Sequence, residues 1–312
     1  MTRINHVDWL ETFVAVAEHG TFVGAAAALH RSQSRVSAHV AAIERALGGP
    51  LLDRRHRPVR LTDLGEEFLP YARSALLALD QGQDVADQHA NRFRGRLVIG
   101  CHPSVSAGFL PAVAATVHAQ HPEVRIELTE HATADLVSGI LAGRFQLAIH
   151  SAIPVPETED VVRIPLWDEA YVAVVARSHD LARRGGPVAP RDLQGESLIA
   201  IARPGEAVDP DTAAAFEAWG LQTNLSWQTA MPQTVVSLAR AGLGVGLLNS
   251  LAAQTCDSDG VALLPLAHRR HVRRTVVSFD GNGYLSPSAQ MVLRVILAAH
   301  PPPGTMPPGA AG

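Results

Sequence analysis

Residues 21–47 read Thr-Phe-Val-Gly-Ala-Ala-Ala-Ala-Leu-His-Arg-Ser-Gln-Ser-Arg-Val-Ser-Ala-His-Val-Ala-Ala-Ile-Glu-Arg-Ala-Leu. The stretch predicts two short helices joined by a sharp turn. Thr21 is placed to cap the first, which would run to about Leu29. The alanines from Ala25 to Ala28 favour helix and let another helix approach closely. His30 and Arg31 supply the turn. Ser32 is suited to cap the second helix, because its hydroxyl can accept from the free amides of the next turn. Val36, Val40, Ile43 and Leu47 then recur every three or four residues, as one apolar stripe of a helix does. The other face carries Gln33, Ser34, Arg35, Ser37 and His39. Gly48-Gly49-Pro50 ends the element, since glycine tolerates the left-handed cap and proline cannot continue a helix.

A small helix, packed on one side and bearing Gln, Arg and Ser on the other, suits the major groove of DNA. Gln can read adenine, Arg can read guanine, and hydroxyls reach phosphates or bases. An ordinary amphipathic surface helix would show the same polar face, so the next stretch carries the decision. Residues 51–62, Leu-Leu-Asp-Arg-Arg-His-Arg-Pro-Val-Arg-Leu-Thr, predict a short hairpin with Arg54, Arg55 and Arg57 near its tip. Between residues 31 and 60 seven arginines (31, 35, 45, 54, 55, 57 and 60) face only Glu44 and Asp53, in a chain whose formal net charge is -4. A confined positive patch on an acidic chain is an electrostatic footprint for a polyanion.

The run Leu10-x-x-Phe13-Val14-Ala15-Val16-Ala17-Glu18, Gly20-Thr21-Phe22, Ala25-Ala26-x-x-Leu29-His30, Ser32-Gln33, Val36-Ser37 and Ile43-Glu44 continues with Leu47-Gly48, Pro50-Leu51-Leu52-x-Arg54, Leu61-Thr62-x-x-Gly65 and Pro70-Tyr71-Ala72. In order and spacing, residues 7–72 resemble the winged helix-turn-helix of LysR-type transcriptional regulators. Two positions depart from that pattern. Ser34 stands where the family usually has proline, and Ala38-His39 where a longer basic or amide pair is common. Both fall on the DNA-facing surface, so they bear on the preferred DNA sequence. The expected DNA-binding residues are Arg31, Ser32, Gln33, Ser34, Arg35, Ser37, His39, Arg54, Arg55 and Arg57. Gln33, Arg35 and Ser37 are expected at base edges; Arg31, Arg54, Arg55 and Arg57 are expected at phosphates or the minor groove.

Residues 7–19 predict a first helix, with Val7, Leu10, Phe13, Val14 and Ala17 on one face. Thr62 is placed to cap a long helix in which Leu64, Phe68, Tyr71, Ala75, Leu79 and Gly82 recur every three or four residues, as a coiled-coil seam does. Pro70 inside it should bend it or cost stability. So small a head has little surface left to bury such a seam, which favours a dimer helix. The resemblance implies the same: in the family this linker pairs two subunits, often within a tetramer.

Beyond Gly95, a plausible hinge, strands and helices alternate. Strands are expected at 96–100, 124–129, 147–149, 170–175, 198–201, 245–248 and 274–279, and helices at 105–119, 133–141, 211–219, 232–241 and 287–299. This rhythm predicts mostly parallel sheets with helices on both faces. Residues 95–300 resemble the LysR-type effector domain, with the two-lobed fold of periplasmic binding proteins, more loosely than the head resembles its counterpart. Gln146 and Asn249 stand where the family commonly has Asp and Pro. The expected fold class is an N-terminal all-α winged helix-turn-helix with a long linker helix, followed by a C-terminal α/β two-lobed effector domain. The expected boundaries are 1–65 for the head, 66–92 for the linker and 93–300 for the effector domain. Lobe I would span about 95–165 and 270–300, and lobe II about 166–268. The chain would cross between lobes near Ile164-Pro165-Leu166 and residues 266–272, and the Pro/Gly-rich tail 301–312 would be disordered.

Ligands of such sheets bind beyond the carboxyl ends of strands, against helix N-termini. The expected effector-binding residues are His102, Ser104, Thr133, Ile201, Arg203, Thr229, Ala230 and Met231, with Ser104 and Thr133 holding the acid group of a small metabolite. Plain helix caps would explain the same residues. The resemblance implies the contact roles of Ser104 and Thr133.

Composition narrows the alternatives. Apolar residues make up 47 % of the 312, so the chain is globular. All 26 basic residues are arginine. Cys101 and Cys256, far apart, form neither a disulfide framework nor a zinc pattern. No signal-peptide pattern opens the sequence and no apolar run reaches a membrane span, so a soluble cytoplasmic protein is expected. His268-x-x-His271 and His118-x-x-His121 have no Cys or carboxylate set beside them and read as surface histidines. No nucleophile elbow occurs. Gly242-x-Gly244-x-Gly246 follows a helix and precedes a strand, the reverse of a phosphate cradle. The expectation is a DNA-binding regulator without catalysis, cofactor or metal. Its expected partners are duplex DNA, a small effector and a second copy of itself, with RNA polymerase a further candidate. The alternatives are a small-molecule binding protein or enzyme built on the two-lobed domain, and a regulator that uses no effector.

Overall fold

The computed structural model describes residue 4 and residues 6–89, 93–152, 160–202, 208–221, 225–267 and 272–309. The chain divides into two units, residues 1–92 and 93–312. The first unit runs α1 Val7–His19, α2 Phe22–Ala28, α3 Gln33–Leu47, β1 Leu52–Asp53, β2 Arg60–Leu61 and α4 Asp63–His89. The three expected hydroxyl caps are present. Thr21 Oγ1 accepts from Gly24 N at 3.0 Å, Ser32 Oγ from Arg35 N at 3.3 Å, and Thr62 Oγ1 from Gly65 N at 3.1 Å. Gly48 closes α3 in the left-handed region, at φ 78°.

Phe13, Val16, Val36, Val40, Ile43 and Leu51 form a fully buried core beneath the hairpin. The hairpin tip rests on the α1–α2 turn, where Val59 N donates to Gly20 O at 2.8 Å. Gly20 is required there twice over. Its φ is 63°, and a Cβ would stand 2.8 Å from Pro58 Cβ. Helix α4 continues through Pro70. Ala72 is buried against the head core, and Phe68, Leu69 and Leu76 pack on it. Leu64, Tyr71 and Leu79 remain exposed.

The second unit runs β3 Gly95–Cys101, α5 Pro103–Gly108, α6 Leu110–Gln120, β4 Val124–Glu130, α7 Thr133–Leu141, β5 Leu147–Ser151, β6 Val161–Glu169 and β7 Tyr171–Ala176. It continues with α8 Asp180–Arg184, a 3-10 turn, β8 Leu198–Ile201, α9 Pro210–Trp219, β9 Leu225–Thr229, α10 Pro232–Arg240 and β10 Val245–Asn249. It ends with α11 Ser250–Gln254, β11 Val261–Pro265, β12 Arg273–Asp280 and α12 Pro287–Ala298. Two five-stranded sheets result, ordered β4-β3-β5-β12-β6 in lobe I and β11-β7-β10-β8-β9 in lobe II. Both are mixed, a correction to the mostly parallel expectation. In lobe I, β3 runs parallel to β4 and β5, whereas β12 is antiparallel to β5 and β6. Lobe II repeats the arrangement, with β8 parallel to β9 and β10, and β7 antiparallel to β10 and β11.

Other expectations shift as well. The helix expected over 105–119 is two, broken at Phe109 where α5 gives way to α6. The first crossing lies at Ala170, between β6 and β7, because Ile164-Pro165-Leu166 is still inside β6. The second crossing lies partly outside the described residues. The tail is ordered from 301 to 309. Met306 N and O pair with Asp168 O and N, each at 2.8 Å, and Gly309 N donates to Asp168 Oδ2 at 2.8 Å. Its composition disfavours a helix but not backbone bonds to another segment. Asn249 Oδ1 caps α11 through Ala252 N at 2.9 Å, and Gln146 Oε1 accepts from Ser286 N at 2.8 Å.

Candidate nucleic-acid interface and effector cleft

The polar face of α3 divides into outward and inward residues. Gln33, Ser34 and Arg35 are exposed, and Ser37 is half-buried. Arg31 is not available as expected. Its guanidinium donates to Asp8 Oδ1 and Glu11 Oε2, both at 2.9 Å, and to Thr12 Oγ1 at 3.3 Å, fastening the turn to α1. His39 also turns inward, its Nδ1 lying 3.0 Å from the buried Thr12 Oγ1. That hydroxyl already donates to Asp8 O at 2.6 Å, so the His39 ring must donate to it. Ser32 is occupied as the cap, with its Oγ 3.0 Å from Ser34 Oγ.

The hairpin tip is exposed from Arg54 to Pro58. Arg54 Nη2 donates to Glu44 Oε2 at 2.9 Å and lies over the Phe22 ring, 5.2 Å from its centroid. Glu44 Oε1 accepts from Leu51 N and Leu52 N, so this arginine is aimed from a fixed support. Arg55 pairs with Asp53 at 2.7 Å, and its hydrogen bonds hold that carboxyl well below the usual range. Among the described residues Arg57 has no ion pair.

In the second unit, His102 and Ser104 follow the carboxyl end of β3, and Thr133 follows that of the adjacent β4. Ile201, Thr229, Ala230 and Met231 occupy the corresponding ends of β8 and β9 in lobe II. Arg203 and His268 to His271 lie outside the described residues.

Thr133 is not the cap that the sequence suggests. Ala132 holds the N-cap position of α7 without a side-chain bond, and Thr133 is the first helical residue. Its Oγ1 lies 2.9 Å from His102 Nε2. Ser104 is buried, inside α5 rather than capping it, and among the described residues its Oγ has no hydrogen-bond partner. In lobe II, Thr229 Oγ1 accepts from Met231 N at 3.3 Å, a local turn bond.

The sequence reading missed the ionic centre of this region. Arg273, at the start of β12, is buried and donates to His102 Nδ1. Its Nε lies 3.8 Å from Asp211 Oδ2 on α9 of lobe II. Ser151 of lobe I donates to Asp211 Oδ1, so Asp211 is tied to lobe I through both of its carboxylate oxygens. Glu169 accepts from Trp167 Nε1 at 2.9 Å and Thr275 Oγ1 at 2.8 Å. Burial, then the charges of Arg273 and His150, pushes the His102 pKa well down, so the ring is neutral. Burial raises Asp211 to about 6 against the pull of Arg273. Burial likewise pushes the Cys101 thiol up to about 12. Ser151 and Asp211 are 60 positions apart in sequence and His102 and Arg273 are 171 apart, and no local spacing announces them.

Among the described residues no helix is long and apolar enough to cross a membrane, and no group of three His, Cys, Asp or Glu is placed to hold a metal. His121 packs edge-on against Phe93.

Two family models match the chain. "Bacterial regulatory helix-turn-helix protein, lysR family" matches residues 7–66, and "LysR substrate binding domain" matches residues 90–301. A "Probable hydrogen peroxide-inducible genes activator" of Streptomyces viridosporus is 35% identical over 78% of each chain. The "DNA-binding transcriptional dual regulator OxyR" of Escherichia coli (strain K12) is 31% identical over 86% of each. Two solved structures share the fold. A full-length OxyR variant from Pseudomonas aeruginosa has a TM-score of 0.71 at 20% identity, covering 95% of this chain and 94% of that one. CbnR complexed with its target DNA has a TM-score of 0.68 at 21% identity, covering 94% and 99%. The chain belongs to the LysR family and is a DNA-binding transcription regulator with a C-terminal effector-binding domain.

Proposed function

We propose that Gln33, Ser34, Arg35 and Ser37 read base edges, that Arg54, Arg55 and Arg57 grip the backbone, and that an effector is held between the lobes at Ser104 and Thr133. The observation that carries the effector half is that neither hydroxyl serves as a helix cap. The exposure of one face of α3 beside an exposed arginine tip supports the DNA half. Arg31 and His39 are structural in this reading. The exposed Leu64, Tyr71 and Leu79 on α4 support a homodimer. The protein acts in the cytoplasm without catalysis.

Relatives bear the name hydrogen peroxide-inducible genes activator. A thiol reacts with peroxide as thiolate. Cys101 is fully buried and its pKa is pushed up, and burial also raises that of Cys256. These thiols favour an effector held by hydrogen bonds over one sensed by cysteine oxidation.

Two substitutions separate reading from gripping. Arg35→Ala is expected to remove about 1–3 kcal/mol of preference for the operator over random DNA. Arg57→Ala is expected to weaken both alike and to reduce the log–log salt slope by about one. Gel-shift titrations at two salt concentrations measure both. Equal losses on operator and random DNA for Arg35→Ala would overturn the division of labour.

A further inference from the structure

We propose that Asp8 on α1 is a positioning residue for DNA reading: it props the Arg35 guanidinium for a guanine edge, and its charge disfavours duplexes that do not offer one. The inference rests on the reading of Arg35 as a base reader. Asp8, Glu11 and Thr12 share one face of α1, being three and four positions apart. That face meets the α2–α3 turn and the start of α3. Thr12 Oγ1 takes His39, and Glu11 takes Arg31. Asp8 serves two arginines at once. Its Oδ1 lies 2.9 Å from Arg31 Nη2, and its Oδ2 lies 3.9 Å from Arg35 Nη2. Among the described residues it is the only carboxylate paired with Arg35.

The carboxylate is held from behind. The Arg31 side chain is 19% exposed, and it also donates to Glu11 Oε2 at 2.9 Å and Thr12 Oγ1 at 3.3 Å. Glu11 opposes the Arg31 charge, which leaves the second oxygen of Asp8 for Arg35. The Arg35 side chain is 61% exposed. A pair between such exposed groups adds little to stability. Its effect here is on direction. Arg35 lies in the first turn of α3, with its amide tied to Ser32 Oγ at 3.3 Å, and the first residues of a recognition helix meet base edges. Arginine reads guanine through two donors in one plane, so the orientation of its fork matters. An acceptor at its flank restricts the side chain before DNA arrives and lowers the ordering cost of the contact. The same carboxylate sets a negative charge beside the reading face. A base edge that satisfies Arg35 offsets that cost, and a duplex without one meets only the repulsion.

The test uses the full-length protein and a duplex that it selects from a randomised pool, with each base pair of that duplex then changed singly. Asp8→Ala is expected to cut the preference at the base pair read by Arg35 about three- to tenfold. It should also raise the affinity for random DNA about twofold. Asp8→Asn, whose side-chain oxygen can still accept from Arg31, should shift both quantities in the same directions with the turn intact. In an Arg35→Ala background neither change at position 8 should alter any base-pair preference. Glu11→Ala, which loosens Arg31 alone, should keep the wild-type preference. Unchanged preference in both Asp8 variants, a loss of the same size without Arg35, or an equal loss in Glu11→Ala would overturn the prop. Arg35→Ala without effect at any base pair would sink the reading of Arg35 itself, and the proposal with it.

Discussion

Replacing Tyr71 and Leu79 together with Asp is expected to lower operator affinity about 10²- to 10⁴-fold while leaving the head folded. Helix α4 has two apolar faces. Phe68, Ala72 and Leu76 lie against the head core, so mutations there would unfold it. Tyr71 and Leu79 are 72% and 50% exposed and belong to neither the core nor the partly buried residues packed on it. Polar substitution at exposed positions costs the monomer little. In a dimer, two carboxylates per helix would enter an apolar seam. Two joined heads bind two half-sites with the second event intramolecular, and a separated head loses that gain. Light scattering after gel filtration and operator titration would measure both effects. A doubly substituted protein that stays dimeric, or a monomer with unchanged operator affinity, would refute the seam.

The head was legible almost residue by residue because its signals are local. The limits of α1, the Ser32 cap and the Gly48 stop each lie within a few positions of what they control. Side-chain direction was less legible. Arg31 and Arg35 look equivalent in a count of charges, yet Asp8 and Glu11, one turn apart on α1, capture the first and leave the second exposed. The spacing of those two acids was the available clue. Strand β6 was overlooked because Pro165 lies within it. An edge strand tolerates a residue without an amide proton, and β6 is the outer strand of its sheet. The carboxylates around Arg273 were invisible for a different reason. They meet only when two lobes, the first of them built from non-contiguous sequence, come together.

The same buried cluster makes the effector domain sensitive to acid, with its histidines and Asp211 acting in opposite directions. His150 is fully buried on β5, and burial, with the charges of Arg163 and Arg273, lowers its pKa from 6.5 to about 4. Its Nδ1 lies 2.7 Å from Ser151 O, so the neutral ring donates there. Below pH 6.5 the unfolded chain takes up a proton that the folded ring refuses. The histidine's contribution is therefore complete above pH 6.5 and is lost as the pH falls towards 4, a loss of about 3 kcal/mol. His102, shifted the same way, adds to it. Asp211 opposes them. Its pKa is raised from 3.8 to about 6, so the folded state binds the proton first, and acidification from pH 6 to pH 4 favours folding. The wild-type profile is the difference of these, and variants separate them. His150→Gln, which can still donate to Ser151 O, should lose about 3 kcal/mol less stability than wild type between pH 7 and pH 4. Asp211→Asn should make the acid loss steeper. Urea unfolding of the full chain, followed by pulsed hydrogen exchange at residues 147–151, would read both slopes. Parallel profiles for wild type and His150→Gln would mean that this histidine is not held neutral in the folded lobe.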